Sequence, residues 1–104
     1  MEASTVLGAC GIAYALRFIR ASMQGGIEIG FDSKTALLIA AQTVKGAAEL
    51  LLKGGQHPES EIDKVTTPQG CTIAGLNEME HQGFSSSLIK GISTSFQAID
   101  KIKK

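Results

Sequence analysis

Apolar residues recur along this chain at helical rather than alternating spacing. No stretch alternates apolar and polar positions over five or six residues, and the β-branched residues are scattered among Ala, Leu and Lys. The expected fold is all-α. Its clearest element opens at Asp32, a good N-cap, and runs from Ser33 to Lys53, where Gly54 and Gly55 offer the permissive position that ends helices. Leu37, Ala40, Ala41, Val44, Ala47, Ala48 and Leu51 trace one stripe on this long central helix, while Leu38, Ile39, Leu50 and Leu52 fall outside it. Apolar residues on more than one face predict burial on more than one side. In a chain this small the simplest second cover is another copy of itself, so an interlocked homodimer is expected, the alternative being a monomer whose own helices wrap the central one.

The remaining elements make up a bundle of about five helices. Thr5 to Gln24 is apolar enough to be helical, with Gly8 and Gly11 near its start and the pair Gly25 and Gly26 at its end. Each early glycine weakens an interior helix by about 0.8–1 kcal/mol relative to alanine, which points either to close approach of another helix or a ligand, or to a loosely wound first turn. Ile27 to Phe31 reads as a connector. Pro58 suits a first helical position, and a short helix to about Val65 follows, its Glu59, Glu61 and Asp63 explained by the helix dipole rather than by metal binding. After Thr66–Thr72 comes an amphipathic run through Ile73, Ala74, Leu76 and Met79 that stops at Gly83. A last helix starts near Ser85 or Ser86, carries Leu88, Ile89, Ile92, Phe96 and Ile99 on one face, and ends in Lys101, Lys103 and Lys104.

Composition narrows the partners. The 104 residues are one domain's worth, so residues 1–104 are expected to form a single domain, and 43% hydrophobic with 19% charged residues is a folding composition. Ten basic and ten acidic side chains leave a formal charge of zero, so no nucleic-acid partner is expected. Glu2 is the first charge and Arg17 and Arg20 come late, unlike a signal peptide, and the longest uninterrupted apolar runs, such as Ala36 to Ala41, fall short of the roughly 20 residues of a membrane span. A cytoplasmic chain with no membrane partner is the expectation. Cys10 and Cys71 have neither a CxxC spacing nor a His-rich companion segment, so no zinc site or disulfide framework is indicated. No G-x-G-x-x-G or G-x-x-x-x-G-K-[ST] pattern follows a strand-like run, so no nucleotide fold is expected within the chain.

Chemistry concentrates between Thr66 and Thr72. Pro68 and Gly70 force a turn, after which the backbone N–H groups of Gly70, Cys71 and Thr72 are expected to stand unpaired at a helix start, a setting that attracts anions. With the hydroxyls of Thr67 and Thr72 beside it, such a turn suits a small carboxylate carrying a second polar atom; an ordinary cap is the alternative. His57 and His81 are isolated and read as surface residues, Cys10 and Cys71 lie near expected helix starts without a histidine to complete a dyad, and Tyr14 is expected to pack rather than react.

The run Val65-Thr66-Thr67-Pro68-Gln69-Gly70-Cys71-Thr72-Ile73-Ala74-Gly75-Leu76, followed by Glu80 and Gly83-Phe84, closely resembles the pyrroline-5-carboxylate reductase signature V-[TS]-S-P-G-G-[TA]-T-x-x-[GA]-L. Upstream, Ala36 and Ala40-Ala41-Gln42-Thr43-Val44-Lys45-Gly46-Ala47 resemble that family's A-x-x-x-A-x-Q-T-x-x-G-A helix, His57-Pro58 stands at its H-P, and Gly11 with Ala13-Tyr14 fits the end of S-G-S-G-P-A-Y. Thr67 replaces the family's serine, Gln69 its first glycine, Cys71 its threonine or alanine, and Gly8 to Ile12 depart from S-G-S-G-P.

The resemblance implies the carboxy-terminal, all-helical dimerisation domain of a longer enzyme, Met1 then being a cloning start. In that family an amino-terminal Rossmann domain holds NAD(P)H, so the cofactor, NADP(H) or NAD(H), is expected to bind outside this chain and the domain alone to be inactive. Hydride reaches the C=N carbon of 1-pyrroline-5-carboxylate and gives L-proline. Carried over by position, Thr67, Gly70 and Cys71 would hold the substrate carboxylate and Thr72, the catalytic contact, the ring nitrogen. A non-catalytic helical dimerisation module and a reductase of another cyclic imine are the alternatives.

Overall fold

The computed structural model describes residues 2–103, with side chains for residues 3–99. Helices α1 (Glu2–Thr5), α2 (Gly11–Glu28), α3 (Ser33–Gly54), α4 (Pro58–Val65), α5 (Cys71–His81) and α6 (Phe84–Lys103) follow one another, with a π-helical stretch at Val6–Cys10. Because α1, the π-helical stretch and α2 run on end to end, the chain has five helical stretches and, among the described residues, no strand. The all-α expectation holds.

Local chemistry explains the boundaries. Asp32 caps α3 as expected, its Oδ2 accepting from the Thr35 N–H at 3.4 Å, and that bonding, the side-chain contact with Thr35 foremost, holds the Asp32 carboxyl below the usual carboxylate range. At the other end Gly55 turns left-handed (φ 67°) and its N–H reaches the Leu51 carbonyl at 3.1 Å. The end of α2 differs from expectation: Gly25 and Gly26 are helical, and the stop falls at Gly30 (φ 123°). There Gly30 N–H bonds Ile27 O and Phe31 N–H bonds Gly26 O, the paired bonds of a Schellman cap. Gly26 serves helix contact instead, since a Cβ there would lie 3.1 Å from the Ala36 Cβ. Close approach of α2 and α3 at that point offsets the glycine's poor helix propensity.

Two compact units are distinguished, residues 18–77 and residues 2–17 with 78–103. In the first, α3 buries only its alanine side, Ala36 at 4% and Ala40 at 8% exposure. Of the expected stripe, Ala40 is buried and Ala41, Val44 and Leu51 are half-buried, while Leu37, Ala47 and Ala48 are exposed; Leu38, Ile39, Leu50 and Leu52, outside the stripe, are exposed as well, so the second apolar face is not covered within the chain. In the second, Val6 is 1% exposed, and Tyr14 ties α2 to α6 through its hydroxyl, which pairs with Ser95 Oγ and lies 3.4 Å from the Gly91 carbonyl. Tyr14 thus packs, as expected. The apolar face of α6 is only partly covered, with Leu88, Ile89 and Phe96 exposed. Of the terminal lysines, the side chains of Lys101 and Lys103 and all of Lys104 lie outside the described residues.

Within both units large apolar side chains stand exposed, Leu7 at 69% and Ile89 at 66% in one, Leu38 at 69% and Leu52 at 84% in the other. Over an 18-residue window, Ala3–Glu28 and Ser33–Gly54 both reach a mean hydropathy of 1.3 and are long enough to cross a membrane, although their uninterrupted apolar runs are short. Helices whose apolar faces pair with other protein surfaces have the same length and hydropathy.

Candidate functional site

Thr66 closes α4, its N–H and Oγ1 reaching the Asp63 carbonyl at 3.4 and 3.3 Å, and the chain then turns at Thr67-Pro68-Gln69-Gly70. Gly70 N–H bonds the Thr67 carbonyl at 2.9 Å, and Gln69, at the third position, has φ 60°. Proline at the second position and a positive φ at the third define a type II turn. That third position favours glycine; here a glutamine occupies it at a strain cost of about 1–2 kcal/mol. Gly70 is sterically required in a different way. A Cβ there would meet the Thr67 carbonyl oxygen at 3.1 Å and collide with Thr67 Oγ1, which curls back across the turn.

The turn delivers the chain into α5, where Gly70 O accepts the Ala74 N–H at 3.3 Å. The expected free donors are partly corrected: Gly70 N–H is spent inside the turn. Among the described residues no acceptor faces the N–H groups of Cys71, Thr72 and Ile73, so the three open donors sit one residue further along than the sequence suggested. Cys71 and Thr72 are exposed, and both hydroxyl-bearing residues, Thr67 and Thr72, belong to the same turn and helix start. The arrangement presents three parallel donors, the positive end of an 11-residue helix and a hydroxyl, which suits a carboxylate next to a hydrogen-bonding atom. The sequence signal for the shift was Pro68 itself, which places Gly70 fourth in the turn, where its N–H closes the ring.

Other candidates separate from this site. His57 is the N-cap of α4, its Nδ1 accepting the Glu59 N–H at 3.0 Å, a role the sequence reading missed because histidine is not a preferred capping residue. His81 is exposed at the end of α5. Cys10 lies inside the continuous helical stretch, not at a helix start as expected, because α2 runs straight on from the π-helical turns; both cysteines are free thiols. Among the described residues no group of three His, Cys, Asp or Glu side chains is placed to hold a metal ion. Nor is there a strand leading into a glycine-rich turn and helix, so these residues do not fit a dinucleotide cofactor.

The family described as pyrroline-5-carboxylate reductase dimerisation matches residues 1–102. This chain belongs to that family. Among its relatives, pyrroline-5-carboxylate reductase 1 of Dictyostelium discoideum is 70% identical over 92 residues, covering 88% of the chain and 17% of the relative. Pyrroline-5-carboxylate reductase 2 of the same organism is 55% identical over 101 residues, covering 97% and 34%. The crystallised 1-pyrroline-5-carboxylate reductase of Streptococcus pyogenes superposes with a TM-score of 0.90 at 33% identity, covering 93% of this chain and 38% of that one. The Plasmodium falciparum pyrroline carboxylate reductase, solved with NADP bound, gives 0.89 at 26% identity over 94% and 37%. The chain thus spans about a sixth to a third of the two Dictyostelium relatives, and the dimerisation family accounts for its exposed helix faces.

Proposed function

We propose that this dimerisation domain is the subunit-pairing and substrate-holding part of an enzyme that reduces 1-pyrroline-5-carboxylate to L-proline with NAD(P)H, the cofactor being bound outside these residues. Two copies interlock, each covering the apolar faces of the other's α3. In each subunit the N–H groups of Cys71, Thr72 and Ile73 take the substrate carboxylate, with Thr67 Oγ1 lining the turn. The Thr72 hydroxyl bonds the ring nitrogen, holding it where the imine gains its proton as the C=N carbon is reduced. The observation that carries this reading is the run of three unbonded N–H groups beneath an exposed threonine hydroxyl, within residues that match the family.

The test is a titration of the chain with L-proline, followed through the backbone amide resonances. The Cys71, Thr72 and Ile73 amides are expected to shift together, and Thr72→Val to weaken the binding about fivefold, the loss of one hydrogen bond of about 1 kcal/mol, without lowering the melting temperature. Proline that leaves these three amides unmoved at saturation, or a Thr72→Val variant that binds as tightly as the parent, would rule the site out.

A further inference from the structure

His57 Nδ1 accepts a hydrogen bond from the Glu59 N–H at 3.0 Å, so this nitrogen holds a lone pair and the ring's proton sits on Nε2. The first backbone bond of α4 runs from Glu61 N–H to the His57 carbonyl at 3.2 Å, on the same residue. Histidine is the side chain that ordinarily changes charge between pH 5 and 8. Once protonated, the ring turns a donor toward the Glu59 donor and places a positive charge at the positive end of the helix dipole. An eight-residue helix has little cooperative reserve against such a loss.

The surrounding charges do not replace the cap. On α4, the Glu61 carboxylate is engaged with Lys64 at 3.4 Å, and the carboxylates of Glu59 and Asp63, the other two acidic groups of the helix, make no hydrogen bond to the Glu59 N–H, which is bonded to His57 Nδ1. On the facing end of α3, Lys53 is paired with Glu49 at 3.1 Å. Glu49, Lys53, Glu61 and Lys64 line one open groove between the end of α3 and α4, and among the described residues no second acceptor meets the Glu59 N–H.

We propose that His57 is a proton-sensitive cap: α4 is closed while the ring is neutral and frays from its start when the ring is protonated, loosening the segment that leads into the Thr67–Gly70 turn. The link to the turn is covalent and short, since α4 ends at Val65 and Thr66 is held only through the Asp63 carbonyl.

The experiment follows amide-exchange protection of Glu61 and Ile62, corrected for the intrinsic pH dependence of exchange, alongside the ring resonances of His57 between pH 5 and 8.5. Protection is expected to fall about fivefold as the ring protonates, with the same midpoint as the ring, the usual effect of losing one N-cap. His57→Asn, which caps through an uncharged oxygen, is expected to stay protected across the range, His57→Ala to show the same roughly fivefold lower protection at every pH, and His81→Gln to behave as the parent. Flat protection through the His57 titration, or a pH dependence that survives in His57→Asn, overturns the proposal; the first needs no variant at all.

Discussion

Leu38 is 69% exposed on α3, so for an isolated chain its truncation is a surface substitution worth less than about 0.5 kcal/mol. The outcome is different if two copies cover α3. Burying a leucine contributes about 2 kcal/mol, of which the exposed fraction of Leu38 leaves about 1.4 to be gained on pairing, and two-fold symmetry doubles this to about 3 kcal/mol. Leu38→Ala is therefore expected to raise the dimer dissociation constant about a hundredfold. Sedimentation equilibrium over a dilution series measures it, and a melting temperature that rises with concentration in the parent but falls at every concentration in the variant is the companion result. A parent chain that sediments as a monomer at micromolar concentration, or a Leu38→Ala variant that dissociates at the parent's concentration, would refute pairing through the exposed apolar side chains of α3.

Gly70→Ala is expected to destabilise the chain by about 1 kcal/mol through the contact of the new Cβ with Thr67, and Thr67→Ala in the same chain to recover part of it; chemical denaturation of the double-mutant set gives the coupling, which should reach about 0.5 kcal/mol. Because the folded state holds the Asp32 carboxyl below its ordinary value of 3.8, its contribution is complete above that pH and is lost as the pH falls through the lowered value. Asp32→Asn, which keeps a capping oxygen, is expected to flatten helix loss by circular dichroism between pH 2 and 4 relative to the parent.

Much of the fold was legible because helix ends are local events. Asp32, Gly55, Pro58 and Gly83 each act through the backbone within a few residues, and the start of α3 and the span of α4 stand where those residues put them. Gly25 and Gly26 misled because the use of a glycine need not be local: a Cβ at Gly26 would crowd Ala36, ten residues away, a contact that propensity does not contain. The site divides in the same manner. Thr67, Gly70, Cys71 and Thr72 were found as one segment, but which N–H groups remain open depended on the Gly70 to Thr67 bond, and the cap of α4 fell to a histidine that capping statistics disfavour.

By itself the sequence determined the helical class, the ends of α3 and α4, the turn and the family match, all of which depend on spacing and on the backbone demands of single residues. Only the tertiary structure decided which face of α3 is covered by its own chain. Burial is a property of neighbours: Ala36 and Ala40 have them and the leucines around them do not, although the periodic pattern is equally apolar at both. That difference is what turns a doubly apolar helix from a core element into a surface expected to meet a second copy.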